Sequence, residues 1–144
     1  MTIKEIQDEI IGEFQLLDGD MEMTILYIME LGQKLPGFPA NERTEANEVK
    51  GCQSKVWMLA SEREGKLYFE ADSNTAITKG LVSLLIRIFS GQTADAILKA
   101  DLFFMKSIGM ERFIGTQRTN GFAAMIKQMK IYALAFKTRA EVRS

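Results

Sequence analysis

Residues 47–57 read Asn-Glu-Val-Lys-Gly-Cys-Gln-Ser-Lys-Val-Trp, and they contain the one cysteine and the one tryptophan of the 144-residue chain. Residues 51–54 are short and polar and lie between β-prone residues, which predicts a loop joining two strands. Gly51 can adopt backbone angles that other residues avoid, so the next side chain can be aimed away from an ordinary turn. The sequence therefore predicts a thiol, Cys52, at the tip of a loop.

Cys52 has neighbours unlike those of a structural cysteine. A lone cysteine is most often a small core residue without chemistry. Here its neighbours are glycine, glutamine, serine and lysine, and it falls in a loop, where functional groups concentrate. Lys50 and Lys55 flank it, and nearby ammonium groups favour the thiolate, which is the nucleophilic form. Cys52 is thus the candidate nucleophile.

The overall composition is that of a globular protein. The chain is 47% hydrophobic and 26% charged, and its 18 basic and 19 acidic residues give a net charge of −1. This balance predicts neither a nucleic-acid-binding nor a membrane-binding surface. No apolar run approaches the ~18 residues of a membrane span. The first residues do not resemble a secretory signal and one cysteine cannot form an internal disulfide, so a cytoplasmic location is expected.

The chain contains no histidine. This excludes a Cys–His dyad, a Ser–His–Asp triad and any histidine-based metal site. A structural zinc site would need a shell made of carboxylates alone, and none is expected. Any chemistry of Cys52 must therefore proceed without an imidazole base, which points away from the thiol hydrolases.

Apolar periodicity predicts two helices at the start of the chain. Apolar residues at spacings of three and four predict the first helix, from Ile3 to Leu17. Asp20 can cap a second helix that ends at Gly32, and its methionines are predicted to fill the core. Residues 33–46 contain both prolines and predict a long loop.

A small sheet and further helices are predicted for the rest of the chain. The strands are residues 48–50, 55–63 and 66–71, the last two joined by a two-residue turn. Caps of the later helices are predicted at Ser73 or Asn74, at Thr93, at Asp101, and at Thr119 or Asn120. The predicted fold is therefore α+β, with a three-stranded antiparallel sheet packed against a layer of helices in a single domain, residues 1–144.

Two weaker candidate sites lie outside the cysteine loop. Arg118 precedes the predicted start of the last helix, where an anion could bind, although a surface loop with a cap is the favoured interpretation. Asp72 is predicted to take part only in a helix cap. The isolated glycines nearby match neither a dinucleotide fingerprint nor a phosphate-binding loop.

The cysteine segment is one of several motifs that occur together in a known family. It reads Arg43-x-x-x-Asn47-x-Val49-x-Gly51-Cys52-Gln53-Ser54-x-Val56-Trp57. The others are Glu30-Leu31-Gly32-x-x-Leu35-Pro36, Ala71-Asp72-Ser73, Lys79-Gly80-Leu81, Ser90-Gly91-Gln92-Thr93, Ile108-Gly109 and Arg118-x-Asn120-Gly121. Together they resemble the SufE/CsdE family of sulfur acceptor proteins. The departures, Asn74, Ala94 and Phe122, lie outside the cysteine loop and leave open whether the chain belongs to the Suf or the Csd branch.

This resemblance implies a cytoplasmic protein with the fold of the IscU-type scaffolds but without their metal ligands. It implies that Cys52 accepts persulfide sulfur from a pyridoxal-phosphate-dependent cysteine desulfurase of the SufS or CsdA type. The chain would stimulate that enzyme and pass the sulfur to a downstream iron–sulfur scaffold. Because the partner's cofactor cleaves the carbon–sulfur bond, no cofactor or metal is expected in this chain. It would be a sulfurtransferase-type accessory protein without independent turnover.

Two other functions stay open from the sequence. The chain could be a non-catalytic adaptor that only docks the desulfurase, or a thiol redox protein in which Cys52 becomes a sulfenic acid. We also expect the free protein to shield Cys52 against Val49, Val56 and aromatic residues of the last helix, so that burial outweighs the flanking lysines.

The surface that meets the desulfurase is also predicted. The loop at residues 35–46, the cysteine loop and the corner with Asp72 and Arg118 are expected on one side of the molecule, because a thiol on a loop tip must enter the active site of another protein.

Overall fold

Helices pack against one small sheet in the computed structural model, which describes residues 1–143. The elements are α1 (Ile3–Gln15), α2 (Met21–Gln33), β1 (Val56–Arg63), β2 (Lys66–Ser73), α3 (Ala76–Phe89), β3 (Gln92–Thr93), α4 (Ala94–Lys99), α5 (Phe104–Ile108) and α6 (Met110–Arg143), with 3-10 turns at Ala40–Glu42 and Glu45–Asn47. This is the predicted α+β class with a three-stranded antiparallel sheet. Within these residues, no helix is long and apolar enough to cross a bilayer.

The two N-terminal helices begin where capping chemistry predicts. Asp20 accepts a hydrogen bond from Met23 N at 2.9 Å and so caps α2. Gly32 was predicted to end this helix, but α2 continues through Gln33. Gly32 instead lies in the last turn, where a Cβ would come within 2.7 Å of Gly80 N in α3. The glycine serves close helix packing rather than a cap.

The buried face of α2 excludes two of its methionines. Thr24, Ile28 and Gly32 are buried at successive spacings of four, so they define the side that faces the core. Met21 and Met23 lie off this stripe and are 45% and 54% exposed. The prediction that the methionines of this helix fill the core is therefore wrong for these two.

The hairpin of β1 and β2 agrees with the prediction. The strands pair antiparallel over their full length, from Val56 opposite Ser73 to Arg63 opposite Lys66. The turn between them places Gly65 at φ 78°, a backbone angle that glycine adopts without strain. This hairpin carries the cysteine loop immediately before its first residue.

The third strand of the sheet was predicted wrongly. Residues 48–50 form no strand, because the chain bends into the cysteine loop after a single bridge between Glu48 and Trp57. The third strand is β3, which pairs with the first two residues of β2. A two-residue strand is too short to show alternation in the sequence.

The core lies between the sheet and the helices. The largest fully buried side chains come from α1, α2, both long strands and α3 to α6: Ile10, Ile28, Met58, Leu67, Leu81, Leu84, Leu85, Ile88, Phe89, Ile97, Phe104 and Phe122. Removing this apolar surface from water is the main force that holds the layers together.

Three of the later helix caps differ from the prediction. Thr93 does cap α4, accepting from Ala96 N at 3.1 Å. The residue before α3 is Thr75, whose side chain makes no capping bond, so neither Ser73 nor Asn74 is the cap. Asp101 does not cap α5 either. That role falls to the α1 residue Gln7, whose Oε1 accepts from two backbone N–H groups at the start of α5 at 2.8 and 3.2 Å.

The last helix begins earlier than predicted and is interrupted. Residues from Met110 are helical, but Gly115 has φ 84° and ψ 166°, which breaks the helix. The second segment therefore starts at residue 116, three residues before the predicted cap at Thr119. Thr119 instead donates from Oγ1 to Gly115 O at 2.9 Å. Because of this break, the N-terminus of the second helical segment lies beside the cysteine loop.

Candidate functional site at the cysteine loop

The cysteine loop leaves and rejoins the sheet at one hydrogen bond, from Val49 N to Val56 O at 2.8 Å. Gly51 follows with φ 92°, an angle that a residue with a side chain rarely adopts. A Cβ at this position would also lie 3.2 Å from the Cβ of Ala124 in α6. The loop therefore needs glycine both for its bend and for its contact with the last helix.

Cys52 is half-buried against α6. Its Sγ donates a hydrogen bond to Gly121 O at 3.4 Å. Burial raises the pKa of the Cys52 thiol above its ordinary value, because a charged thiolate is poorly solvated there. At neutral pH this shift favours the uncharged thiol over the thiolate, which is the nucleophilic form.

The flanking lysines each lie near a glutamate. Lys50 Nζ lies 4.0 Å from Glu45, and Lys55 Nζ lies 4.0 Å from Glu48. Burial is the cause of the shift in the pKa of Cys52, and its direction is upward. This direction agrees with the expectation that burial outweighs the flanking lysines in the free protein.

A cavity of about 390 Å³ opens beside Cys52. Apolar side chains from α3 and α6 form part of its wall, and hydroxyl and amide groups form the rest. The lining residues are Cys52, Gln53, Ser54, Thr78, Leu81, Ile114, Gly115, Thr116, Gln117, Arg118, Gly121 and Met125. The apolar wall thus consists of leucine, isoleucine and methionine, and not of Val49, Val56 and aromatic residues as predicted.

Arg118 lines the same cavity as Cys52. This agrees with the prediction that Arg118 and the cysteine loop lie on one side of the molecule. Arg118 lies in the first turn of the second segment of α6, and Nη1 donates to Ile114 O at 3.3 Å. Among the described residues that line the cavity, Arg118 is the one with a charged group. A positive charge at the start of a helix can hold an anion brought to the mouth of the cavity.

The downstream end of the loop is bonded to the turn between β2 and α3. Asn74 donates from its backbone N to Lys55 O and accepts at Oδ1 from Lys55 N, at 3.2 and 3.0 Å. The hydroxyl of Ser54 bonds with those of Thr75 and Thr78 at 3.1 and 3.4 Å. Sequence reasoning missed these partners, although Ser54 lies within the cysteine motif and Asn74 directly follows the motif Ala71-Asp72-Ser73.

Asp72 is the centre of an ion-pair cluster rather than part of a helix cap. It is buried, its Oδ2 accepts a hydrogen bond from Arg43 Nε at 2.8 Å, and Arg43 Nη2 lies 2.7 Å from the same oxygen. Lys79 Nζ lies 3.4 Å from the other carboxylate oxygen. Burial alone would raise the pKa of Asp72, but the hydrogen bond from Arg43 and the charge of Lys79 hold it below its usual value. The carboxylate is therefore ionised at neutral pH.

The long loop before the cysteine is held against this cluster. Phe38 is buried, and the guanidinium of Arg43 lies 6.0 Å from the centre of its ring. Asn47 donates from Nδ2 to Glu42 O at 2.9 Å, which closes the following turn. Through Arg43, the predicted loop at residues 35–46 reaches the same corner of the sheet as the cysteine loop.

Comparison with known proteins shows which family the chain resembles. The family model of the SufE domain, described as an Fe-S metabolism associated domain, matches residues 8–133. An uncharacterized SufE-like protein of Rhizobium meliloti is 38% identical over 128 residues, 85% of this chain and 91% of that protein. Another, from Rhizobium etli, is 36% identical over 128 residues, covering 85% of this chain and 86% of that protein.

The fold has a solved counterpart as well. The solution structure of a hypothetical protein from Thermus thermophilus superposes with a TM-score of 0.75 at 20% identity, covering 92% of this chain and 96% of that one. This likeness concerns the fold, while the sequence matches concern the family. On these grounds the chain belongs to the SufE family, whose domain is associated with iron–sulfur metabolism.

Proposed function

We propose that this protein accepts persulfide sulfur from a cysteine desulfurase on Cys52 and carries it to an iron–sulfur scaffold. The observation that carries the proposal is the position of the chain's only thiol, half-buried on a glycine-bent loop above a cavity. Membership of the SufE family supports the same role. The chemistry needs one thiol and no base, which suits a chain without histidine.

The transfer is a thiol–persulfide exchange. The Cys52 thiolate attacks the terminal sulfur of the partner's persulfide, a new bond forms between Cys52 Sγ and that sulfur, and the partner's sulfur–sulfur bond breaks. The partner's cysteine leaves as a thiolate and takes up the proton that Cys52 gave up. The products are a Cys52 persulfide and a free partner thiol, with no net oxidation or reduction. Carbon–sulfur cleavage belongs to the pyridoxal cofactor of the desulfurase.

The resting state of the thiol favours a carrier over a peroxide sensor. Reactive sensor cysteines are exposed and have a low pKa, whereas burial raises the pKa of Cys52. A shielded sulfur is protected from glutathione and oxidants until a partner docks. Docking would shift a minor, outward conformation of the loop to the major one.

The proposal also concerns the setting of the protein. Residues 1–144 work as a single SufE-like domain in the cytoplasm, beside a desulfurase of the SufS or CsdA type. The chain stimulates that enzyme by removing its persulfide, and does not turn over alone. The loop at residues 35–46, the cysteine loop and the corner with Asp72 and Arg118 face the desulfurase.

Intact mass after incubation with a desulfurase and cysteine tests the proposal. We expect the parent protein to gain one or more sulfur atoms, which dithiothreitol removes. The Cys52→Ser variant should gain none and should lose its stimulation of the desulfurase under reducing turnover. If this variant stimulates as strongly as the parent, the protein is an adaptor. If the parent consumes peroxide at a rate that competes with sulfur uptake, it is a redox protein.

A further inference from the structure

Asp72 joins the two arms of the cysteine loop. The upstream arm, residues 43–50, is bonded to it through Arg43, whose Nε donates to Oδ2 at 2.8 Å and whose Nη2 lies 2.7 Å from the same oxygen. A hydrogen bond between an ionised donor and an ionised acceptor is stronger than one between neutral groups. The carboxylate therefore holds the chain that leads into the loop.

The downstream arm, residues 54–55, is held one step away. Asp72 Oδ1 accepts from Ser73 N at 2.9 Å, which orders the turn after β2. Within that turn, Ser73 Oγ and Asn74 N both donate to Lys55 O, at 2.8 and 3.2 Å. One carboxylate thus acts directly on the upstream arm and, through its own turn, on the downstream arm.

The carboxylate is shielded from water while its cations are not. The side chain of Asp72 is 10% exposed, against 38% for Arg43 and 33% for Lys79. Removing a buried acceptor leaves its donors unpaired and costs more than the bond itself contributes. Without the negative charge, the two cations would also repel each other across the gap.

We propose that Asp72 is a positioning residue for sulfur transfer, which holds both arms in the arrangement that keeps Cys52 against its cavity. It does not touch the sulfur and acts through the arms. The inference rests on the proposed function for the role of Cys52. The position of the loop can be measured on the free protein without a desulfurase.

Alkylation of Cys52 by iodoacetamide in the free protein tests the inference. Asp72→Asn preserves the shape of the side chain and removes its charge. We expect alkylation about tenfold faster than in the parent, because the rate follows the population of open loops. Amide hydrogen exchange should rise in residues 43–50 and not in β1. Asp72→Glu restores the charge and should bring both readouts back toward those of the parent.

Arg87 offers a matched control for general loss of stability. It joins α3 to α1 through Glu9 and Glu13, and its side chain is 31% exposed, close to that of Lys79. Arg87→Gln should lower the urea midpoint of unfolding while alkylation of Cys52 stays within about twofold of the parent. Equal acceleration in this control would overturn the inference, because overall stability would then explain the rate.

A second variant decides the outcome if Asp72→Asn does not fold. Arg43→Gln releases only the upstream arm and should speed alkylation about threefold. Alkylation within about twofold of the parent in every folded variant of Asp72 and Arg43 would overturn the inference. Failure of the parent to take up sulfur from a desulfurase would instead refute the proposed function and leave the result on the loop intact.

Discussion

The thiol of Cys52 is governed by competition between burial and nearby charge. Its sulfur is half-buried and bonded to Gly121 O, while the two flanking lysines are engaged with glutamates. Exposed ammonium groups are screened by water and salt, but burial acts on the thiolate directly. This explains how a lysine-flanked cysteine comes to have a raised pKa.

The first prediction concerns the pH dependence that follows. Alkylation of native Cys52 should have its midpoint above the ordinary thiol pKa of about 8.5, and denaturant should return it to that value. The unfolded thiol loses its proton first, so native stability should decline above about pH 8.5 relative to Cys52→Ser. Rate–pH and urea-midpoint–pH profiles check the two statements. A native midpoint at or below the denatured one would contradict them.

Arg118 carries the second prediction. Its charge lines the cavity of Cys52, so Arg118→Glu should raise the half-saturating concentration for stimulating the desulfurase about tenfold, as expected for loss of an interface arginine. Lys137→Glu is the control, because this lysine pairs with Asp95 of α4 at 2.8 Å. Stimulation assays over a range of protein concentrations give both values. Equal effects would remove Arg118 from the docking surface.

Among the elements, α2 and α3 cross at two glycines. A Cβ on Gly80 would clash with the carbonyl oxygen of Ile28. Our third prediction is that Gly80→Ala lowers the free energy of unfolding by at least about 2 kcal/mol. Gly12, within α1, has open space around it, so Gly12→Ala should instead add about 0.5–1 kcal/mol. Urea denaturation of both variants is the measurement, and a neutral Gly80→Ala would show that the helices separate easily.

Local sequence patterns predicted the helix caps whose partners are nearby in the chain. The wrong predictions concern features that depend on contacts between residues far apart in the chain. Asp20 and Thr93 were identified as caps because their partners lie three residues away. Gln7 caps α5 from 96 and 97 residues away, which no local pattern indicates. The third strand was missed for the same reason, since β3 is defined only by its pairing with β2.

In the candidate site too, some features could be predicted from the sequence and others depend on contacts made only in the folded protein. The loop tip and its cysteine follow from the neighbours of Gly51, and the shared corner with Arg118 was predicted because a thiol on a loop tip must enter the active site of another protein. The role of Asp72 could not be predicted, because it depends on Arg43 and Lys79 folding onto one carboxylate. Charges that meet in the folded state look like ordinary surface residues along the chain.

At the scale of the whole molecule, the protein is expected to work in two states. In the free protein Cys52 rests against α6, and the proposed function requires it to reach the active site of the desulfurase. Our fourth prediction is that iodoacetamide alkylates free Cys52 slowly, and that a desulfurase lacking its nucleophilic cysteine accelerates the reaction. Mass spectrometry over time follows both rates. Alkylation of the free protein as fast as that of an unstructured peptide would contradict gating.

The position of Trp57, which forms the single bridge with Glu48, has a practical consequence. Trp57 is the only tryptophan of the chain, is half-buried, and lies opposite Asp72 across the β1–β2 ladder. Its emission therefore reports the polarity of this one corner, with no other indole in the molecule to obscure it. The chain thus carries an intrinsic fluorophore beside the cysteine loop, so stopped-flow fluorescence of the unlabelled protein can test for the predicted opening.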